Sequence, residues 1–428
     1  MLNKYLLFLL SVFLFIVSCG VKPHKKLKEE VDRQVSSPFF KNQFTGFFVF
    51  DPETGDTVYS HNADKYFTPA SNTKILTLFS AMELLPEKLP ALQYQYINDT
   101  LLLRGTGDPT LLHPYFELKT PFEFVRNFDP VALVWNNFDE NPLGPGWSWG
   151  DFDAYYSPER SALPLHGNIV LGGLDDQGEG WISPRNFTYR NTANPSGFQR
   201  DRHQNIFYLN AKAGDTLEIP YITDSTAVKN ILSKALQREV HLKMKHTTTD
   251  EWRTLYGIKA DSVYKRMMMV SDNFIAEQLL IQASGMLSDT LSGAKTRDYI
   301  LEGPLSDLSQ KPRWVDGSGL SRYNLITPEA LVHVLFKLYK CYGKERLLQL
   351  FPAGGVSGTL KNYFKGDGAP YVYAKTGTLS NNYCLSGYLL TDSGKTLIFS
   401  FMNNHYMGSS IPVKKEMEPI LYHIKKTY

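Results

Sequence analysis

Thr68-Pro69-Ala70-Ser71-Asn72-Thr73-Lys74-Ile75-Leu76-Thr77-Leu78-Phe79-Ser80-Ala81-Met82-Glu83-Leu84-Leu85 decides how the rest of the chain is read. Ile75, Leu78, Phe79, Met82 and Leu85 recur at helical spacing, and Pro86 closes the run. The pattern predicts a buried helix with Ser71 at its start. Residues i and i+3 share a helix face, so Ser71 Oγ and the Lys74 amine fall within reach of each other. A serine hydroxyl is a poor nucleophile until a base takes its proton. Lys74 serves only if burial or a second cation lowers its pKa. Backbone N–H groups at a helix start also point toward the serine, where an oxyanion would develop.

Two further motifs follow in order: Ser271-Asp272-Asn273, then Lys375-Thr376-Gly377 with Thr378 behind it. Ser271 offers a hydroxyl to pass a proton between Lys74 and a leaving amine. Asn273 offers an amide to orient Lys74 and to bond a substrate backbone. Lys375 and Thr376 present charge and a hydroxyl to a carboxylate, and Lys375 supplies the second cation. Gly377 leaves a strand edge clear for a peptide that adds to it. The Thr378 N–H is a second oxyanion donor. Taken singly, each motif has an ordinary reading: a capping serine, an N-cap, a strand end. All three in order, each on a suitable element, point to one acyl-transfer site.

The flanking sequence sets the architecture. Gly46–Phe50, a turn at Asp51–Gly55 and Thr57–Ser60 read as a β-hairpin. Tyr383–Leu390 and Thr396–Met402 read as adjacent strands, and Glu416–Lys426 as an amphipathic closing helix. Helices are expected over Thr226–Gln237, Asp261–Leu287 and Pro328–Cys341. Between about Pro90 and Asp224, short apolar runs alternate with Gly, Pro, Asn and Asp clusters, a β-rich texture. The expectation is an α+β protein: a mixed antiparallel sheet with helices on both sides, carrying a β-rich insertion. Residues 20–90 and 224–428 would form the catalytic domain, and 91–223 the inserted part.

Length and composition agree. At 428 residues, two or more domains are expected. Apolar residues at 43% and charged residues at 21% are globular values, and a net charge of +2 gives no field for a nucleic-acid partner. Three cysteines cannot make a disulfide framework, and Cys341 and Cys384 read as free, buried thiols. The histidines form no H-E-x-x-H or i, i+4 pair, so neither a metal nor another cofactor is expected. Lys4, the apolar run Leu6–Val17 and Ser18-Cys19 read as a signal peptide over residues 1–19, ending in a lipidation site at Cys19. That predicts a lipid-anchored, periplasm-facing protein.

The motifs together resemble the low-molecular-mass class C penicillin-binding proteins, the S13 peptidases that act as D-Ala-D-Ala carboxypeptidases and endopeptidases. Further matching stretches are Leu103–Pro109, Trp147-Ser148-Trp149 with Asp151, Ser271–Gln278, Asp316–Ser321 and Gly355–Leu360. Ser71 and Ser271 lie 200 residues apart, far more than a compact β-lactamase-like domain needs, which fits the inserted region. The resemblance implies an acyl-enzyme on Ser71, peptidoglycan peptides as substrate and β-lactams as covalent inhibitors. It also implies that Asp151 reaches the amine of the substrate's diamino acid, although Gly150 departs from many relatives and Asp153 is close by. A turn aspartate beside a tryptophan is the other reading. Asp316-Gly317-Ser318-Gly319 reads as a tight loop beside the site. Two rivals remain, a serine β-lactamase and an idle wall-binding or β-lactam-sensing lipoprotein.

Overall fold

The computed structural model describes residues 23–117, 120–194, 196–246 and 251–428. Cys19 therefore lies outside the described residues. Among those described, no helix is long and apolar enough to cross a membrane.

The expected hairpin forms from Phe44–Phe50 and Thr57–His61 and joins the strands near the end of the chain. The result is a five-stranded antiparallel sheet ordered Val372–Leu379, Asn382–Leu390, Thr396–Asn404, Phe44–Phe50, Thr57–His61. Strand alternation divides its side chains between two cores. Phe47, Val49, Leu385, Phe399 and Phe401 face the helices Pro23–Val35 and Ser410–Thr427. Phe48, Cys384, Tyr388, Ile398 and Met402 face the helices Lys74–Leu84, Asn273–Ser284 and Pro328–Tyr342. The expected layering, helices on both sides of a sheet, is what the chain builds.

A second five-stranded sheet is ordered Val240–Lys243, Val131–Val134, Thr100–Gly105, Lys88–Ile97, Arg253–Lys259. It spans 88 to 259, wider at both ends than the expected 91–223. The helix Ser225–Leu236, capped by Asp224 accepting from Ala227 N at 2.7 Å, buries Val228, Ile231 and Leu232 in the core of this sheet. The chain leaves and returns side by side: Lys88 pairs with Lys259, and Ala260 N donates to Glu87 O at 2.8 Å. An excursion whose ends meet disturbs its host little.

The expected helix over Asp261–Leu287 is instead two helices, Ala260–Met269 and Asn273–Ser284. Apolar periodicity continues through the break and hid it. Ser271 takes the left-handed conformation (φ 62°), and Asp272 caps the second helix by accepting from Ile275 N at 3.0 Å. A left-handed non-glycine residue costs on the order of 1 kcal/mol, and here it turns the Ser271 hydroxyl out of the helical path. Cys341 is exposed, not buried as expected, because the last turn of its helix faces solvent; Cys384 is buried, and both are free.

Candidate active site

Ser71 lies in a 3-10 turn, Ala70–Thr73, that runs directly into the helix Lys74–Leu84. Ala70 is left-handed (φ 48°), which sets the turn's start. Asn72, between the two motif residues, ties the turn to the sheet. Its Nδ2 donates to Lys375 O at 2.9 Å, and its Oδ1 accepts from Ser386 Oγ at 2.6 Å.

Lys74 is fully buried, and its Nζ meets three oxygens: Ser71 Oγ at 3.0 Å, Asn273 Oδ1 at 2.6 Å and Ser318 O at 2.6 Å. Asn273 in turn donates from Nδ2 to Tyr156 O at 2.9 Å. Burial lowers the Lys74 pKa to about 8, while Asp316, Glu277 and Asp272 pull it back up. Lys375, also buried, donates to Ser271 Oγ and to Thr376 O, both at 2.8 Å. Burial, then the nearby Lys74 charge, pushes its pKa well below the ordinary lysine range. Ser71, Lys74, Ser271, Asn273 and Lys375 are thus brought together as two linked lysine–serine pairs.

Ala374 N donates outward from the sheet to Pro352 O at 3.0 Å. By the two-residue repeat of a strand, the N–H groups of Thr376 and Thr378 face that same outer edge. Thr376 Oγ1 donates to Thr359 Oγ1 at 2.8 Å, which fixes its hydroxyl. Gly377 answers a closer neighbour than a substrate: a Cβ there would sit 2.4 Å from Pro69 O and 3.0 Å from Asn72 N. The missing side chain lets the strand lie against the turn that carries Ser71.

A cavity of about 630 Å3 opens over these groups, lined by Ser71, Asp151, Ser271, Asn273, Arg322 and Thr378 among others. Asp151 sits in a short turn, Trp149–Asp151, and its carboxylate is bonded to Tyr156. It is a cavity residue and not a remote surface one.

Residues outside the three motifs support the site. The loop at Asp316–Gly319 is held by the buried Asp316, which accepts from Gly319 N at 2.8 Å, Ser321 N at 2.7 Å and Trp147 Nε1 at 2.9 Å. Gly319 (φ 81°) passes so close to Ala70 that a Cβ would meet its carbonyl at 1.9 Å. The buried Glu277 accepts from Ser318 N at 2.7 Å. Arg160, from the second sheet's region and 2% exposed, faces Glu277 at 3.6 Å and Glu140 at 3.2 Å. Burial first, then the Asp316 charge, raises the Glu277 pKa, and Arg160 opposes the rise. Of this network the sequence pointed to Trp147, the Asp316–Ser321 loop and the Ser271–Gln278 stretch, but not to Arg160 or Glu140. Among the described residues, no group of three or more His, Cys, Asp or Glu is placed to hold a metal ion.

Comparison with known proteins agrees with this geometry. Residues 27–191 and 260–423 match the model of the D-Ala-D-Ala carboxypeptidase 3 (S13) family. A D-alanyl-D-alanine carboxypeptidase of Actinomadura sp. (strain R39) is 27% identical over 90% of this chain and 82% of its own. The crystal structure of penicillin binding protein 4 from Haemophilus influenzae has a TM-score of 0.72 at 20% identity, covering 93% of this chain and 99% of its own. A predatory endopeptidase from Bdellovibrio bacteriovorus, solved with an immunity protein, has a TM-score of 0.51 at 17% identity, covering 89% and 94%. With its family model matched over most of its length and its two lysine–serine pairs assembled, the chain belongs to the D-Ala-D-Ala carboxypeptidase 3 (S13) family of serine peptidases.

Proposed function

We propose that Ser71 is the nucleophile through which this penicillin-binding D-Ala-D-Ala carboxypeptidase/endopeptidase cleaves peptidoglycan stem peptides. The observation that carries the reading is the 3.0 Å contact between Ser71 Oγ and a buried Lys74 whose pKa is lowered toward neutrality. Ser71 Oγ attacks the carbonyl of the penultimate D-alanine as its proton passes to Lys74. The tetrahedral oxyanion forms against backbone N–H groups, with Thr378 N–H on the outer strand edge as one donor. Ser271 relays a proton to the leaving amine, the C–N bond breaks, and an ester on Ser71 remains. Water then attacks that ester and frees the enzyme.

The two lysines divide the work by charge. In the free site the carboxylates near Lys74 favour its ammonium form, and that ammonium depresses Lys375. A substrate carboxylate arriving at Lys375 and Thr376 would reverse the balance and leave Lys74 as the neutral base. β-Lactams enter the same path as substrate mimics. Asp151 is the one carboxylate lining the cavity among the described residues, and it is engaged by Tyr156, so β-lactam esters should turn over slowly. The position of Asp151 on the cavity wall supports a role in meeting the amine of the substrate's diamino acid.

Incubating the protein with a D-alanine-terminated pentapeptide should release D-alanine, and Ser71→Ala should not; release by the variant would defeat the assignment. Many nitrocefin turnovers per site would favour a β-lactamase instead. The lipobox-like Ser18-Cys19 supports a lipid-anchored, periplasm-facing enzyme. Cys19→Ala expressed in a bacterial host should then leave the membrane fraction.

A further inference from the structure

The wall formed by residues 146–156 has a second face that the reaction does not use. Tyr155 lines the catalytic cavity and also a neighbouring cavity of about 590 Å3. The second cavity is lined by Asp153, Phe198, Gln199, Thr216 and Glu218 as well. Tyr155 is 67% exposed and Trp149, close by, is 78% exposed. Tyr155 is thus an exposed ring on the border of two cavities. Phe198 and Trp149 are tied together by one cation. The Arg202 guanidinium lies 4.4 Å over Trp149, 5.2 Å over Phe152 and 5.9 Å over Phe198, and the two phenylalanine rings are 4.8 Å apart. Asp153 Oδ2 accepts from Gln199 N at 2.6 Å, pinning one wall to the other.

We propose that this second cavity binds the saccharide backbone to which the stem peptide is attached, an inference that rests on the reading of the catalytic cavity above. The chemistry selects the occupant. Sugar rings offer flat C–H faces to aromatic rings and hydroxyl donors to carboxylate and amide oxygens. Asp153, Glu218 and Gln199 supply such acceptors, and Tyr155 and Phe198 supply the rings. A second stem peptide, which carries free carboxylates, would meet Asp153 and Glu218 there. Neither Arg202 nor Arg200 lines this cavity: Arg202 lies over its three rings, and Arg200, whose charge acts on Asp153, is buried behind the wall. A neutral, hydroxyl-rich chain meets no such repulsion. The shared wall residue, Tyr155, gives a strand one continuous path from the sugar cavity to Ser71.

The test compares a free pentapeptide with the same pentapeptide on an N-acetylated disaccharide. Binding is measured by calorimetry on the Ser71→Ala protein, and D-alanine release on the wild type. Losing one well-packed contact group costs about 1 kcal/mol, so the disaccharide form should bind and react at least ~5-fold better. Thr216→Trp, which fills the second cavity, and Phe198→Ala, which removes a lining ring, should each erase that gain. Both variants should hydrolyse the free pentapeptide within twofold of wild type, which shows that they are folded. Equal binding of the two ligands, or a gain that survives in both variants, overturns the proposal. So does an equal gain from a sugar-free cross-linked peptide. A binding gain without any D-alanine release leaves the sugar site standing and removes the catalytic reading instead.

Discussion

Replacing Gly377 with alanine probes how the strand edge and the nucleophile are held together. The added Cβ would lie 2.4 Å from Pro69 O and 3.0 Å from Asn72 N and Nδ2. Ordinary contact begins near 3.4 Å, so the strand and the Pro69–Asn72 turn must part by about 1 Å. Neither is a flexible side chain. Asn72 is bonded to both the Lys375 carbonyl and Ser386, and the turn carries Ser71. Overpacking of this kind costs about 1–3 kcal/mol of stability, which a domain of this size tolerates. A 1 Å error between reacting groups costs roughly 10²-fold in rate. Gly377→Ala should therefore remain folded, with a thermal midpoint a few degrees lower, while its rate of acylation by a fluorescent penicillin falls about 100-fold. Stopped-flow labelling measures the rate and circular dichroism the folding. Acylation within threefold of wild type in a folded variant would refute the close-approach argument.

Other outcomes follow from the same structure. With the neutral amine of Lys74 as the proposed base, acylation should rise with pH through a midpoint near 8; a rate flat from pH 6 to 10 would contradict this. Arg160→Met leaves Glu277 buried without its partner and should destabilise the protein by about 3–5 kcal/mol in urea unfolding; a loss under about 1 kcal/mol would mean that the pair is dispensable. Burial lowers His113 to about 3 and His166 to about 4, so both stay neutral in the fold while the unfolded chain takes up protons below pH 6.5. Their contribution to stability should be whole above pH 6.5 and fall away from there toward pH 4. Thermal midpoints that do not drop across that range would count against the two histidines. A thiol reagent should modify Cys341 and spare Cys384 in folded protein that lacks Cys19; equal reaction would contradict their different exposure.

What the sequence made legible was local or strictly spaced. Ser71 with Lys74, the hairpin at Phe44–Phe50 and the strands at Asn382–Leu390 and Thr396–Asn404 all follow from periodicity and turn chemistry over a few residues. The meeting of both chain ends in one sheet was also readable, because neither end could bury its strands alone. What escaped depends on contacts between distant parts. Arg160 and Glu277 lie 117 positions apart and gain meaning only when the helix Asn273–Ser284 meets the second sheet's region. Asn72 looks like an ordinary polar residue until its partners surround it. The break at Ser271 was masked because Met267, Met268 and Phe274 keep a helical rhythm across it, although Ser271-Asp272-Asn273 also read as an N-cap. The inserted sheet reaches beyond the expected range because Arg253–Lys259 pairs with Lys88–Ile97, far away in the chain.

The central claim is that a covalent ester forms on Ser71. Intact-mass and peptide-mapping spectrometry of the protein after brief exposure to benzylpenicillin tests it most directly. The account predicts one added penicilloyl mass per chain, mapped to the peptide containing Ser71-Asn72-Thr73-Lys74 and lost in Ser71→Ala. An adduct on another residue, or the same adduct in the Ser71→Ala protein, would contradict it.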